Sequence, residues 1–599
     1  MTVQSVQKSE KFHLVMIKPS HYDDDGYPIQ WYRSAIPSNT LAALNGLALD
    51  CVDREALGSH VDIRLTAYDE TNIRIRPARI IKDIKNSGGR CLVCFVGVQS
   101  NQFGRAVDLA QLFVKAGLPV AIGGFHVSGC LSMLDHTPSE IQAILDQGIT
   151  IFAGEAEEDR LGDLLRDVYA GQMKPVYNFM KDLPSLEGEP IPILEREAVL
   201  RTEGFRSSFD LGRGCPFQCS FCTIINVQGR KSRFRSTGDL ERIIRSNARE
   251  GIYKFFITDD NFARNKDWEA LFDTLIRMRE QEGFKIKLVI QVDTLCHKIP
   301  GFIEKACRAG VNRVFIGLEN INPDNLLAAK KRQNKITEYR QMIQQWRNHG
   351  ATTYAGYILG FPNDTKESIL RDIEIIKREL PLDLLEFFFL TPLPGSEDHK
   401  RMLGEGVWMD PDLNKYDLNH RVTHHARMTD AEWDEAYNEA WDAYYTPEHI
   451  ETVIRRAAAL PNGRPKPKMR LMLWFYMMHR IENLHPLESG IFRRKYRTDR
   501  RPGMKIDNPV VFYPKYAWEV LTKVVRYTRM VAGAYAIYRR VARDPAASSY
   551  TDLAITPCDE SELETLEMFT ETSGGDAAVV KKKVADDIRA KVTRLTAAE

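Results

Sequence analysis

A chain of 599 residues exceeds what one hydrophobic core supports, and at roughly 100 to 200 residues per domain it divides into three or four units. With 43% hydrophobic and 27% charged residues it has the composition of a globular protein, which excludes a fibrous or wholly disordered chain. A formal net charge of +1 excludes a partner chosen by bulk charge, and no apolar run approaches the roughly 18 residues of a membrane span.

The polar start, Met1 to Lys11, lacks the apolar core of a secretory signal. A cytoplasmic location is therefore expected, where ten cysteines meet a reducing environment and closely spaced thiols serve metals more often than disulfides. From Phe12 to Ala170, short apolar runs alternate with helical patterns: Phe12 to Lys18, Val61 to Leu65, Cys91 to Val98, Pro119 to Ile122 and Thr150 to Ala153 read as strands. Strand-helix alternation predicts a doubly wound parallel sheet over residues 1–175, with ligands outside the carboxyl ends of its strands. Those ends carry His21, Ser100, the Gly123-Gly124-Phe125-His126 turn and Gly154-Glu155-Ala156-Glu157. Glycine there permits close approach of backbone to a ligand. Cys91 and Cys94 form a C-x-x-C pair, but inside an apolar run that reads as a buried strand.

Residues 176–206, rich in Pro and Glu, read as a linker. Beyond it Cys215, Cys219 and Cys222 place three thiols within eight residues. Thiolates are the usual ligands of iron-sulfur clusters, and a 4Fe-4S cluster takes four, so three leave one iron open. A zinc site is the alternative, yet zinc asks for four ligands and no further pair at finger spacing follows. About six strand-helix units follow over residues 207–430, enough for a partial barrel and short of the eight of a closed one. Their strand ends carry the thiol loop, Asp259-Asp260-Asn261, Gln291-Val292-Asp293, Gly317-Leu318-Glu319 and Gly360-Phe361-Pro362. His420, His424 and His425, beyond the barrel, either line a pocket or cap it.

Residues 431–545 read as a helical basic domain, with nineteen Lys and Arg against five Asp and Glu between Pro461 and Arg543. Basic amphipathic segments bind anionic membranes, so peripheral membrane contact is one reading and helices packed on the barrel with solvated charges the other. Residues 546–599 are expected to be a largely disordered tail apart from a short helix near 579–595.

The C-x3-C-x2-C loop, with Phe221 before its last cysteine and six strand-helix units after it, resembles the radical S-adenosylmethionine (SAM) superfamily. The resemblance implies a 4Fe-4S cluster on Cys215, Cys219 and Cys222 whose open iron chelates SAM, and a 5′-deoxyadenosyl radical that abstracts hydrogen from substrate. It also implies SAM contacts at Phe221, Asp260, Glu319 and the Gly356-Tyr357-Ile358-Leu359-Gly360-Phe361-Pro362 stretch, whose proline comes one residue earlier than in the family pattern. The N-terminal segment resembles a cobalamin-binding domain, with Ser100, Gly123, Gly124 and His126 around the cofactor. His21 is the candidate lower cobalt ligand, although Gly26 follows it at five residues rather than the family's three. The order of domains resembles cobalamin-dependent radical SAM enzymes, above all the methyltransferases.

The expected function is methylation of an unactivated carbon of a small-molecule or lipid-like substrate, with an electron donor such as flavodoxin or ferredoxin. Ring closure or oxidation, as in anaerobic porphyrin-ester cyclases, is the enzymatic alternative, and a non-catalytic corrinoid carrier the alternative of another class. No nucleic-acid-binding module is recognisable, so nucleic acid is not the expected partner.

Overall fold

The computed structural model describes residues 10–461, 463–559 and 561–596. Seven strands open the chain: β1 (Glu10–Lys18), β2 (Gln30–Ser34), β3 (Val61–Asp69), β4 (Cys91–Phe95), β5 (Val120–Gly123), β6 (Thr150–Ala153) and β7 (Val176–Asn178). All but β2 join one parallel sheet of order β3-β1-β4-β5-β6-β7. Its strands are apolar on both faces because helices cover both. In β1, Phe12, Leu14 and Met16 enter one core while Val15 and Ile17 enter another. Strand β4 divides the same way, Leu92 and Cys94 against Cys91, Val93 and Phe95. Burial pushes the Cys91 and Cys94 thiols up to about 12, as inert core groups rather than a redox pair. The sheet grows outward in opposite directions from β1 and β4, and the crevice outside this switch point is where such sheets bind ligands.

The second sheet adds β8 (Arg206–Phe209), β11 (Lys254–Ile257), β12 (Lys287–Val292), β13 (Val311–Glu319), β14 (Thr352–Leu359) and β15 (Leu384–Phe389); the short pair β9 (Gly212–Arg213) and β10 (Arg233–Phe234) flanks the thiol loop. The six strands lie in chain order, all parallel, with β8 and β15 as edges. This is the expected partial barrel. Outward residues such as Phe255, Ile257, Leu288, Ile290, Val314 and Ile316 are buried beneath helices, while alternate positions turn into the lumen.

Three features were not foreseen. Strand β16 (Gly490–Arg494) pairs antiparallel with β2, so the helical region is woven back into the N-terminal one. The expected linker also contributes β7 to the first sheet and the helix Arg196–Leu200. The tail holds the expected helix, as Gly575–Thr596, and beyond that expectation the short helices Glu562–Thr565 and Glu567–Thr570. It is tied to the barrel because Glu379 accepts from the amides of Glu567 (2.6 Å) and Met568 (3.0 Å) and because Arg340 pairs with Glu562. These anchors come from residues some 200 positions earlier, which composition cannot reveal. Among the described residues no helix is long and apolar enough to cross a membrane.

Candidate functional site

The carboxyl ends of both sheets face one cavity of about 770 Å3. Ser20, His21 and Ser100 reach it from the switch point of the first sheet; Phe221, Asp260, Glu319 and Ile358 reach it from the barrel; Asp417 and Glu488 close it from the C-terminal side. A smaller space of about 160 Å3 lies alongside, lined by Gly123, Gly124 and Phe125 and sharing Asn39, Gly97 and Arg213 with the larger one.

The thiol loop sits at the barrel mouth. Gly214, at φ +91°, starts it where a Cβ would stand 2.8 Å from the Gly229 carbonyl, and the Cys215 amide donates to that carbonyl at 3.2 Å. The Ser220 amide donates to the Ala329 carbonyl (3.1 Å), pinning the loop to the segment after β13. Burial pushes the Cys215 thiol up to about 11 and the Cys222 thiol up to about 12, so metal binding there must release protons. The three thiols are free of disulfides, and no group of metal-ligand atoms closing within 4.8 Å includes them among the described residues. A tetrahedral zinc at about 2.3 Å from each sulfur would draw them to roughly 4 Å apart. Three thiols with no further pair at finger spacing form a donor set that suits an iron-sulfur cluster with one iron left open.

Behind the loop stand residues that sequence reasoning missed. Gln333 Nε2 donates to Cys219 Sγ at 3.4 Å. Lys331 is buried, pairs with Glu319 and lies 5.7 Å from the Phe221 ring centre; burial works against its charge, but Glu319 and Cys219 outweigh this and raise its pKa. A cation beside the sulfurs offsets the charge of a thiolate-bound cluster. Lys331 and Gln333 follow β13 in an ordinary polar loop, and no spacing marks them. Glu319 itself adopts φ +63°, costly for a residue with a side chain, at the bulge where β13 shifts register against β14.

Two acids crowd the opposite wall. Asp259 accepts from the Leu211 amide at 2.6 Å, and burial pushes its carboxyl up to about 8. Burial and then the negative Asp210 push Asp260 up to about 7, with Arg213 pulling the other way. Arg213 is itself clamped by Glu155 (2.7 Å) and Glu157 (2.7 Å) of the first sheet and by Asp210 (3.1 Å) of the barrel. This buried network, with Arg233 and Arg235 beside it, fastens the two sheets together beneath the cavity.

The remaining expected site residues divide. His21 lies in the cavity wall with Nε2 2.9 Å from Glu488 Oε1; burial opposes its protonation, but Glu488 outweighs this and raises its pKa. Its atoms, with those of Asp417 and Glu488, fall within 4.8 Å of one another. Ser100 lines the cavity, whereas His126 stands behind it, fully buried, with Nδ1 3.1 Å from Ser100 Oγ; burial brings its pKa down to about 3, so it is neutral. A Cβ on Gly124, at φ +145°, would stand 2.1 Å from the Val98 nitrogen. The close approach these glycines permit is thus first to the chain's own backbone, and only then to the adjoining space. Gly356 carries the rings of Phe315 and Phe388 over it, and Gly360 carries Trp433, leaving Ile358 to face the cavity while Pro362 is exposed. The histidines beyond the barrel cap it: His424 meets Asp430 and stacks on Trp408, His425 bonds the Phe361 carbonyl at 2.9 Å, and His420 joins Asp24 and Asp417.

Comparison with known proteins finds a matching domain model, distant relatives and a similar fold. A model described as the Radical SAM superfamily matches residues 210–376. The chain is 28% identical over 335 residues to bacteriochlorophyllide d C-8(2)-methyltransferase of Chlorobaculum tepidum, covering 53% of this chain and 70% of that protein. It is 26% identical over 322 residues to hopanoid C-2 methylase of Rhodopseudomonas palustris, covering 53% of this chain and 58% of that one. Among solved structures it resembles the radical S-adenosylmethionine methyltransferase TsrM of Kitasatospora setae with cobalamin and a 4Fe-4S cluster bound, at 15% identity and a TM-score of 0.51 over 73% of this chain and 89% of that one.

Proposed function

Residues 210–376 being a radical SAM domain, we propose that the protein is a cobalamin-dependent radical SAM methyltransferase acting on an unactivated carbon. The observation that carries this reading is the shared cavity: the switch point of a doubly wound sheet and the mouth of a thiol-bearing barrel open into one space. The organisation that follows is a cobalamin-binding domain that runs through β7 to Asn178, a connector to 205, a radical SAM barrel from Arg206 to about 430, and a helical basic region whose tail packs back on the barrel.

When bound, a 4Fe-4S cluster and a corrinoid would supply, respectively, one-electron cleavage of SAM and a transferable methyl group. Cys215, Cys219 and Cys222 would hold such a cluster, Gln333 donates to the Cys219 sulfur, and Lys331 would offset the negative charge of the thiolates. Asp260 and Glu319, from opposite walls, receive the amino end of SAM. Phe221, which packs edge-on against Phe361, screens the cleavage point from solvent. On the other side Ser100, Gly123 and Gly124 border the space for a corrinoid, and His126 orients Ser100. Because Glu488 stabilises its protonated form, His21 acts as a proton holder in the substrate space rather than as a cobalt ligand.

The relatives named above suggest a small-molecule or lipid-like substrate, and the helix Pro509–Ala542 supports the latter. Its outward face bears Val510 (77% exposed), Trp518 (67%), Leu521, Val524 and Val525, together with Lys515, Arg526 and Arg529. The single acid of this helix, Glu519, is turned to Lys495 and Lys523. An apolar stripe flanked only by cations fits the surface of an anionic membrane, where a lipid substrate would be met. An external donor such as flavodoxin or ferredoxin supplies the electron.

Reconstituted protein given methyl-labelled SAM, reductant and candidate lipids tests the reading. One labelled methyl in the product is the expected result; loss of hydrogens from substrate without label would favour ring closure or oxidation, and absence of 5′-deoxyadenosine would leave only a carrier. Trp518→Ser is expected to weaken binding to anionic vesicles while leaving 5′-deoxyadenosine formation in solution intact.

A further inference from the structure

The opposite end of the barrel carries a second cavity, of about 1040 Å3, that takes no part in the chemistry above. Its floor is built by strand register. Lys254 at the start of β11 stands opposite both Arg206 of β8 and Lys287 of β12, and Arg313 of β13 stands opposite Val289, two residues beyond Lys287. Neighbouring strands run about 4.8 Å apart, and residues of one pleat share one face. Four cations from four consecutive strands therefore line the same end of the lumen, and all four border the cavity.

These charges are not answered by the protein. Among the described residues none of Arg206, Lys254, Lys287 and Arg313 forms an ion pair, and the Nε of Arg206 is buried with no hydrogen-bond partner. Lys254 has only the Gly204 carbonyl, at 2.8 Å. Desolvation, then the neighbouring Arg313, brings Arg206 down to about 10; burial, then Lys287 and Arg206, lowers Lys254 as well. The acids that border the space do little to help: Glu203 weakly opposes these shifts, and Glu280 is paired with Arg308. Lys468, on the helix Pro465–Met477 that covers the cavity, is already paired with Asp383 at 2.6 Å.

A protein that gathers unpaired cations at a concave, partly dry surface creates a place where an anion is worth more than water. Guanidiniums on two walls and ammonium groups between them match a chain of phosphates, whose several charges answer several cations at once, whereas a carboxylate brings a single negative charge. We infer that the amino-terminal end of the barrel is a binding site for a small polyphosphate-bearing molecule, held by Arg206, Lys254, Lys287 and Arg313.

The test uses the full-length holoprotein, with calorimetric titration and thermal shift by sodium triphosphate, ATP, inorganic phosphate and a soluble short-chain phosphatidylinositol phosphate, each against sodium chloride at matched ionic strength. Saturable binding of triphosphate, tighter than that of inorganic phosphate, is expected. Preference for ATP would identify a nucleotide as the source of the phosphates, and preference for the inositol lipid a headgroup. Lys287→Ala, at an exposed strand start, and Arg313→Gln should each weaken triphosphate binding by about tenfold, the worth of one hydrogen bond between charged groups. Both should leave 5′-deoxyadenosine formation without the ligand unchanged, which separates loss of the site from loss of the fold. Binding no stronger than that of chloride, undiminished binding in the double variant, or equal binding of an acidic peptide would overturn the inference.

Discussion

The two ends of the barrel are electrostatic opposites. At the carboxyl end, Asp259 and Asp260 are driven up to about 8 and 7 by burial and by other acids; at the amino end, Arg206 and Lys254 are driven down by burial and by other cations. Beside the acids of the carboxyl end lies a contrasting case, Arg213, whose three carboxylate partners hold it firmly charged. Satisfied charge joins the two sheets; unsatisfied charge is found where ligands of opposite sign would complete it. The structure thus separates two roles that buried ionisable groups share, and the separation rests on partners rather than on burial.

The largest effect should come from the thiol loop. Cys219→Ala removes one of the three proposed cluster ligands and the acceptor of Gln333, and 5′-deoxyadenosine production should fall to background while the circular dichroism spectrum stays that of the parent. Retained production would remove the carboxyl end from the comparison altogether.

Next is the satisfied network. Arg213→Ala strips Glu157 of its partner and leaves Glu155 to Arg233 and Asp210 to Arg235 beneath the cavity, and stripping one partner from buried pairs costs about 3–5 kcal/mol. Denaturant unfolding should register that loss. A change near zero would mean that this arginine is not the fastening it resembles.

An effect of comparable size, with a sign set by pH, should come from Glu386, which faces the lumen with neither oxygen hydrogen-bonded among the described residues and its carboxyl pushed up to about 8 by burial. Its ordinary value is 4.5, so between 4.5 and 8 the folded protein keeps a proton that the unfolded chain has lost. The stability this proton confers is whole at the acid side of that window and fades as pH rises through it, by roughly 3–5 kcal/mol in all. Glu386→Gln should flatten the stability profile between about pH 5 and 8; an unchanged slope would show that this part of the lumen is not the neutral layer between two charged ends.

Smallest should be Asp260→Asn. If this carboxylate meets the amino group of SAM, its loss should raise the KM for SAM by about tenfold, the worth of one charged hydrogen bond, with a lesser change in kcat. Equal loss in kcat and kcat/KM would point instead to a transition-state role.

Much of this architecture was legible without coordinates. Apolar runs such as Cys91 to Val98 and Thr352 to Leu359 have the length and composition of strands buried on both sides, and the polar segments after them had to lie at the carboxyl ends. The thiol loop was equally plain, because three cysteines in eight residues have few uses in one chain. By contrast, Lys331, Gln333, Asp417 and Glu488 carry no local mark; each matters through what the fold sets beside it. The segment 562–570 of the tail was missed for the same reason, since its composition suggests disorder and its anchors are Arg340 and Glu379.

By itself the sequence determined the alternation of strands and helices, the thiol loop and the side of each sheet on which chemistry collects. Those are local properties, set by periodicity of two or 3.6 residues and by the chemistry of a few adjacent side chains. Tertiary structure alone decided that two sheets share one cavity, that His21 meets Glu488 across 467 positions, 488 less 21, and that four scattered cations stand together at the far end of the barrel. Register and packing make those neighbours, and neither is written in any single stretch of chain.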